Sequence, residues 1–344
     1  MRGLYVNLVV MTYTSPKYSK GEVRRAGKVL AGKEVQGISK PHASSVAANW
    51  RSSHAYPTWV IRSYLNTKLP FFIDEYLIAS RTKKMPTIVS KLEEGIVSDL
   101  SSMQDIGGCR VVVGSIAEVR MVAEFLEKGA TRTHAVKRKK DYLEKPKNSG
   151  YRGIHLISKY DSDRKPEYRG MQIETQVRTR LMHYWATTVE AVDLMSGSML
   201  KRSHGNDNWK KFFVLVSDNI ARAEGTERVL PQWSPSEVDR QIRALSSHLD
   251  VSGTLRGWSS VDYVRSHHDV EIVGNYFVVA LSGSEARIFP YISSDDAENK
   301  YLELEADPDV NAVSVSAKDM EMVRSVYPNY FLDCQVFREY VEGI

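Results

Sequence analysis

The chain has 344 residues, 42% hydrophobic and 26% charged, with a formal net charge of +5 at neutral pH. That length allows two domains, or one large domain with an appended module. No stretch approaches the roughly 18 uninterrupted apolar residues of a membrane span, so a globular cytoplasmic protein with no membrane partner is expected.

The N-terminal GLYVNLVVM is apolar but short, follows a single Arg and precedes no small-residue cleavage site, which argues against a signal peptide; Met11 is an alternative start to Met1. Cys109 and Cys334 lie far apart and supply neither a disulfide framework nor a zinc pattern, in keeping with a reducing compartment. Charge is unevenly spread. Residues 1–250 carry 40 Lys and Arg against 26 Asp and Glu, a balance of +14, whereas residues 251–344 carry 7 against 16, a balance of −9. The basic part invites a phosphate-rich partner and the acidic part is suited to cover it; two modules that merely differ in isoelectric point are the plain alternative.

In chain order, Tyr18 to Asn66 reads as helices. EVRRAGKVLAG ends on a glycine of C-cap type, and ASSVAANWRSSHAYPTWVIRSYLN keeps apolar residues at helical intervals around Pro57, with Trp50, Trp59 and Val60 assigned to the core. FFIDEYLIASRTKK reads as a further helix leading to Arg81, Lys83 and Lys84, followed by a helical run from Pro86 to Leu100 that Gly95 weakens. SMQDIGGCRVVVG is a polar lead-in, two glycines and a β-branched strand, which places Asp105 at a strand entrance. IAEVRMVAEFLEKG is an amphipathic helix with Ile116, Val119, Val122 and Leu126 on one stripe and Gly129 as its stop.

Thr131 to Val136 reads as a strand feeding the basic run KRKKD. After a turn over Pro146 to Gly150, YRGIHLISKY alternates as a strand, and MQIETQVR does so cleanly, with Ile173, Thr175 and Val177 on one face and Gln172, Glu174, Gln176 and Arg178 on the other. Arg180 to Leu194 is helical, with His183, Thr187 and Glu190 sharing a face. A polar loop around Lys201 to Asn208 precedes the helical WKKFFVLVSDNIARAEG, and Ser236 is expected to cap the helix in WSPSEVDRQIRALSSHLD. From Glu271 the text changes: a hairpin over NYFVVALS and ARIFPYI, an acidic helix in DDAENKYLELEAD, a strand in NAVSVSAK and a mixed tail broken at Pro328.

The expected fold class is α/β (α+β), a nucleotidyltransferase-like mixed sheet flanked by helices with a smaller C-terminal module. The expected division is an N-terminal helical segment over 1–70, a catalytic domain over 71–230, a helical connector over 231–265 and an acidic C-terminal module over 266–344.

Asp105 and Glu174 are hard-oxygen ligands suited to Mg²⁺, which keeps several waters and shares itself with substrate phosphates. Around them stand Arg81, Lys83, Lys84, Arg110, Lys137 to Lys140, Lys145 and Lys147, the composition of a polyphosphate site. Neither GxxxxGK[ST] nor GxGxxG is present, so phosphates would be held by side chains and not by a glycine cradle. The plain reading of each residue alone is a solvated face.

The order of the whole set resembles the RelA/SpoT synthetase family, the pyrophosphokinases that make (p)ppGpp. The resemblance spans about Tyr18 to Asp193 and rests on WRSSH near Trp50, DIGGCR at Asp105, KDYLEKPKNSGYRGIH at Lys140, and ETQVRT followed by MHYWATTVE. It implies ATP as substrate and Mg²⁺ as cofactor, with Asp105 as a metal ligand and Glu174 assisting the metal and activating the attacking hydroxyl. By the same resemblance Arg81 and Arg110 sandwich the adenine, Lys83, Lys84 and Lys91 hold ATP phosphates, and Tyr151 stacks on the acceptor base. Lys140, Lys147, Arg152, His155 and Gln176 would lie near the acceptor, with Glu190 orienting and His183 structural. The HHD at His267 to Asp269 lacks the partner ligands of the hydrolase found in long members of the family.

Two acceptors are compatible with this: GDP or GTP, or the tRNA 3′ CCA end used by toxic small synthetases. The charge split and the eight Lys and Arg against two acidic residues in the first 50 positions favour the tRNA. In that reading the C-terminal module resembles the antitoxin of CapRel-type fusions, with YPNYF near the end as the textual hint and a phage protein as the trigger. A catalytically inactive nucleotide- or RNA-sensing module is the third reading, and retention of both carboxylates argues against it.

Overall fold

A computed structural model describes residues 13–129, 132–199, 205–259, 275–282, 285–305, 307, 310–317 and 334–344. The HHD, the YPNYF segment and the two candidate starts lie outside them, as do Lys201 to His204 of the polar loop.

Three N-terminal helices, α1 (Lys20–Leu30), α2 (Lys40–Ser53) and α3 (Ala55–Lys68), are punctuated as their sequence dictates. Ser19 and Ser39 cap the first two by accepting from the backbone N–H groups of Glu22 and His42, and Pro57 sits in the first turn of α3. Then follow β1 (Tyr76–Thr82), α4 (Met85–Glu93), β2 (Gly107–Val113), α5 (Ile116–Lys128), β3 (Val136–Asp141), β4 (Ile154–Lys159) and β5 (Gln172–Thr179). Helices α6 (Arg180–Met199), α7 (Gly205–Ala223), α8 (Pro235–His248) and α9 (Val251–Ser259) come next. The C-terminal part gives β6 (Tyr276–Ser282), β7 (Glu285–Tyr291), α10 (Ser294–Glu305), β8 (Val310–Ser316) and α11 (Gln335–Glu342).

The eight strands among the described residues form one mixed sheet in the order β3-β4-β5-β2-β1-β8-β6-β7, in which β2 and β5 pair parallel and the other described pairs are antiparallel. The α/β expectation stands. Its C-terminal part continues the same sheet, with β8 pairing antiparallel to β1 from Ile78 to Ser80. One face is closed by α3 and α5, whose Ile61, Leu65, Val119 and Val122 pack on Ile78, Val111, Ile154, Leu156, Ile173 and Val177. A second core joins α6 to α9 and α11 around Trp185, Phe212, Phe213, Ile242 and Phe337.

Four local expectations change. Tyr76–Thr82 is a strand and not a helix: it runs in mid-sheet between β2 and β8, five of its seven residues are buried, and the polar alternation that signals a strand is lost. The helix after Pro86 stops at Glu93, because Gly95 takes φ +68° just beyond it. The basic run is itself strand β3, on the sheet edge, where charged side chains stay in water. The cap of α8 is Ser234, with Pro235 in the first turn, where its missing N–H costs nothing.

Candidate functional site

The opposite face of the sheet carries two adjacent rows that include the polar groups of the site, set by strand register. Arg81, Gly108, Glu174 and Ile157 line up across β1, β2, β5 and β4; Ala79, Arg110, Gln176, His155 and Lys140 form the next row, which extends to β3. Cross-strand partners share a face, so Gly108 and Glu174, 66 positions apart, become neighbours. The two glycines of DIGGCR serve opposite sides of the sheet. A Cβ at Gly107 would stand 2.3 Å from Thr58 Oγ1 of α3, whereas one at Gly108 would meet only the Glu174 carbonyl oxygen at 3.7 Å, beside the row of polar groups.

Two clefts open on this face and share Asp105, Glu174 and Gln176. The first, about 640 Å³, is lined by Arg81, Lys83, Arg110 and Glu190 with an apolar wall of Ala79 and Val313. The second, about 1300 Å³, is lined by Lys91, Lys140, Tyr142, Lys147, Tyr151, His155 and Arg178. A side trough of about 670 Å³ with Lys20, Lys137 and Lys159 on its walls includes Gln172 and Ile157, the neighbours of Glu174 along and across the strands.

At the junction, Asp105 Oδ2 meets Lys83 Nζ at 3.0 Å and Lys91 Nζ at 2.7 Å. Burial alone pushes the Asp105 carboxyl up, but the two ammonium groups outweigh it and hold its pKa below the ordinary value. Burial also lowers the Lys83 pKa against the pull of Asp105. Asp105 is thus an anion already compensated by two cations.

Glu174 is the head of a buried chain. Arg178 donates from Nε (3.1 Å) and Nη2 (2.6 Å) to the Tyr151 hydroxyl oxygen, the Tyr151 hydroxyl reaches His155 Nε2, and His155 Nδ1 lies 3.1 Å from Glu174 Oε2. Gln176 Nε2 donates to Glu174 Oε1 at 2.6 Å, and its own Oε1 accepts from Arg178 at 2.7 Å. The chain closes consistently with His155 neutral, its proton on Nδ1 and the tyrosine donating. Burial lowers the His155 pKa, in keeping with that tautomer; it opposes ionisation of Glu174, but the hydrogen bonds from His155 and Gln176 keep that carboxylate below its ordinary pKa. The Tyr151 ring lies beneath two cations, Arg178 Cζ at 4.8 Å and Lys147 Nζ at 4.9 Å from its centroid.

The fold therefore brings Asp105, Glu174, Arg81, Lys83, Lys91, Arg110, Lys140, Lys147, Tyr151, His155, Gln176 and Glu190 around two joined clefts. Glu190 Oε1 is 4.0 Å from Arg110 Nη2. Lys84 precedes α4, is exposed and lines neither cleft. Arg152 turns away: in the segment before β4 it is 2% exposed and faces Glu224 of the helical layer at 3.7 Å. Sequence reasoning missed Arg178 and Tyr142, although Arg178 stood on the same alternating face as Glu174. Lys147 Nζ is 4.7 Å from the Tyr142 centroid.

For Mg²⁺ the donor set fits. Two carboxylates meet where the clefts join, Asp105 Oδ1 makes no hydrogen bond to a described residue, and Mg²⁺ needs only one or two carboxylates beside waters and phosphates. Among the described residues no group of three or more His, Cys, Asp or Glu could hold a metal without such a substrate.

The family model described as the region found in RelA / SpoT proteins matches residues 80–194. The GTP pyrophosphokinase YjbM of Bacillus subtilis is 30% identical over 112 residues, 32% of this chain and 52% of that protein. The GTP pyrophosphokinase YwaC of the same organism is 28% identical over 138 residues, 36% of this chain and 65% of that protein. The chain thus spans about half to two thirds of the length of these relatives. Among solved structures, a GTP pyrophosphokinase family protein from Streptococcus pneumoniae aligns at 19% identity and a TM-score of 0.43, covering 55% of this chain and 93% of that one. The small alarmone synthetase 1 of Bacillus subtilis bound to pppGpp aligns at 20% and 0.39, covering 59% and 93%. The matched region, residues 80–194, holds both carboxylates and both arginines of the smaller cleft, so this part of the chain is similar to the region found in RelA / SpoT proteins.

Proposed function

We propose that the protein is an ATP pyrophosphokinase that transfers the β,γ-diphosphate of ATP to a ribose 3′-hydroxyl. The observation that carries this reading is the sharing of Asp105 and Glu174 by two clefts of different chemistry. The smaller cleft suits the donor: Arg81 and Arg110 offer planar cations to adenine against the Ala79 and Val313 wall, and Lys83 meets phosphate oxygens. The larger one suits the acceptor, with Tyr151 and Tyr142 for the base and Lys140 and Lys147 for its phosphates.

In the reaction the acceptor oxygen forms a bond to the β-phosphorus, the bond from that phosphorus to the α-bridging oxygen breaks, and AMP leaves. Glu174 takes the hydroxyl proton, held as an acceptor by His155 and Gln176. Lys83 and Lys91 meet negative charge as it shifts toward the leaving group. Bound Mg²⁺, held by Asp105 and Glu174, would neutralise phosphate charge. Lys84 and Arg152, implied by the resemblance, drop out of this assignment.

GDP or GTP is the first reading for the acceptor, supported by the GTP pyrophosphokinase relatives. The second is a tRNA 3′ end, favoured by the Lys20, Lys137 and Lys159 trough beside Glu174. That second reading came with a C-terminal cover over the basic run and a phage protein that lifts it. The described acidic helix α10 offers no support for the cover: β3, with the run, is one sheet edge, whereas α10 packs on β6 and β8 towards the other, with Arg51 and Arg62 as its cationic partners. Incubation with γ-³²P-ATP and either GDP/GTP or tRNA decides the acceptor; label in neither would refute the transfer itself.

A further inference from the structure

Arg51 belongs to the WRSSH stretch, and its role follows from helix α10. Its Nε donates to the Lys83 carbonyl oxygen at 2.6 Å, and its Nη1 pairs with Glu305 Oε1 of α10 at 2.5 Å. The same Glu305 oxygen accepts from the Thr82 hydroxyl at 2.6 Å, and the Thr82 backbone N–H donates to the Tyr301 hydroxyl of α10 at 3.0 Å. Glu305 has 8% and Arg51 16% of the side chain exposed. Thus Thr82, between the cleft residues Arg81 and Lys83, is held directly by α10, and the Lys83 carbonyl is held by Arg51, which Glu305 of α10 pairs. On the other side of the sheet Lys83 reaches Asp105, and Val313 of β8 forms part of the cleft wall.

We propose that Glu305 is a positioning residue for Lys83, so that the C-terminal region is part of the ATP site. This rests on the reading of Lys83 as a ligand of ATP phosphates. The chemistry favours positioning over a plain surface ion pair. One carboxylate oxygen ties α2 and β1 together, both charges are largely out of water, and the carbonyl held by Arg51 belongs to the lysine that faces the cleft. A side chain fixed through its own backbone loses less freedom when the phosphates arrive.

The test is a double-mutant cycle on binding of a non-hydrolysable ATP analogue to the full chain with Mg²⁺. Lys83→Met alone is expected to weaken binding at least tenfold. Glu305→Gln, nearly isosteric, is expected to weaken it about five- to tenfold and to leave acceptor affinity unchanged. In the Lys83→Met background Glu305→Gln should have no further effect, an outcome that a merely structural role would not give. Tyr301→Phe, which keeps the ring and removes the acceptor of the Thr82 N–H, should show a smaller loss of about two- to threefold that also vanishes with Lys83→Met. It carries the test if Glu305→Gln does not fold.

Unchanged affinity in both α10 variants, or losses that multiply with that of Lys83→Met, overturns the proposal while the ATP site stands. If Lys83→Met itself binds the analogue as wild type does, the reading of the donor cleft fails and this inference with it.

Discussion

The seating of α10 is tested most sharply at Glu298. Its carboxylate pairs with Arg62 Nη2 at 2.8 Å, with side-chain exposures of 2% and 0%, and Arg62 also donates to Ser314 of β8. Glu298→Ala leaves the fully buried Arg62 guanidinium, beside Cys109 and Ser314, without the carboxylate it pairs with. Removing one partner of a fully buried pair costs about 3–5 kcal/mol, and the lost packing adds to that. At roughly 2–4 °C per kcal/mol, melting should drop by on the order of 10 °C in differential scanning calorimetry. Replacing both partners, Arg62→Met with Glu298→Leu, should recover most of the loss, because a pair exchanged for apolar groups of similar volume is often neutral or better. A change below about 1 kcal/mol in Glu298→Ala would refute the seating of α10 against α3 and the sheet.

Gly108→Leu should leave the melting temperature nearly unchanged, since a Cβ there meets only an ordinary contact, yet abolish ATP-analogue binding by filling the space between Arg81 and Glu174. Retained binding would show that ATP does not cross that row. Arg178→Met removes both hydrogen bonds to the Tyr151 hydroxyl and the bond to Gln176, so KM for the acceptor should rise about tenfold or more with KM for ATP little changed, read from initial rates. Stability should fall as pH drops from 6.5 towards 4. His54 is fully buried and its pKa is lowered to about 4 by that burial, so in this window the unfolded chain binds a proton that the native state does not. The loss amounts to about 3 kcal/mol, and denaturant titrations of His54→Gln should show a flatter pH profile.

Much of the site was legible because its chemistry is local. The alternation of MQIETQVR placed Glu174 on the polar face of β5, and two glycines before VVV placed Asp105 at the mouth of β2. What sequence could not supply was the register that sets Arg81 across from Gly108 and Gly108 beside Glu174, since those pairings join strand residues 27 and 66 positions apart. The misreading of Tyr76–Thr82 has the same origin: its partners are β2 and β8, and a strand covered on both faces loses the alternation that would reveal it. Arg152 was assigned from its motif, yet lies among buried residues against Glu224, on the far side of the turn from Tyr151. The C-terminal region reads as separate because its charge differs, but charge reports on solvent and partners, whereas β8 joins β1 through backbone hydrogen bonds and apolar Val313 and Val315.

The central claim is that two clefts sharing Asp105 and Glu174 serve as donor and acceptor halves of one transfer site. Its most direct measurement follows γ-³²P-ATP in the presence of Mg²⁺ and a nucleotide or tRNA acceptor, comparing wild type with Glu174→Gln at matched ATP-analogue affinity. The account predicts label on the acceptor with one AMP released per transfer, and a rate at least a hundredfold lower in Glu174→Gln, as expected when the proton acceptor is lost. Transfer at the wild-type rate in that variant would contradict it.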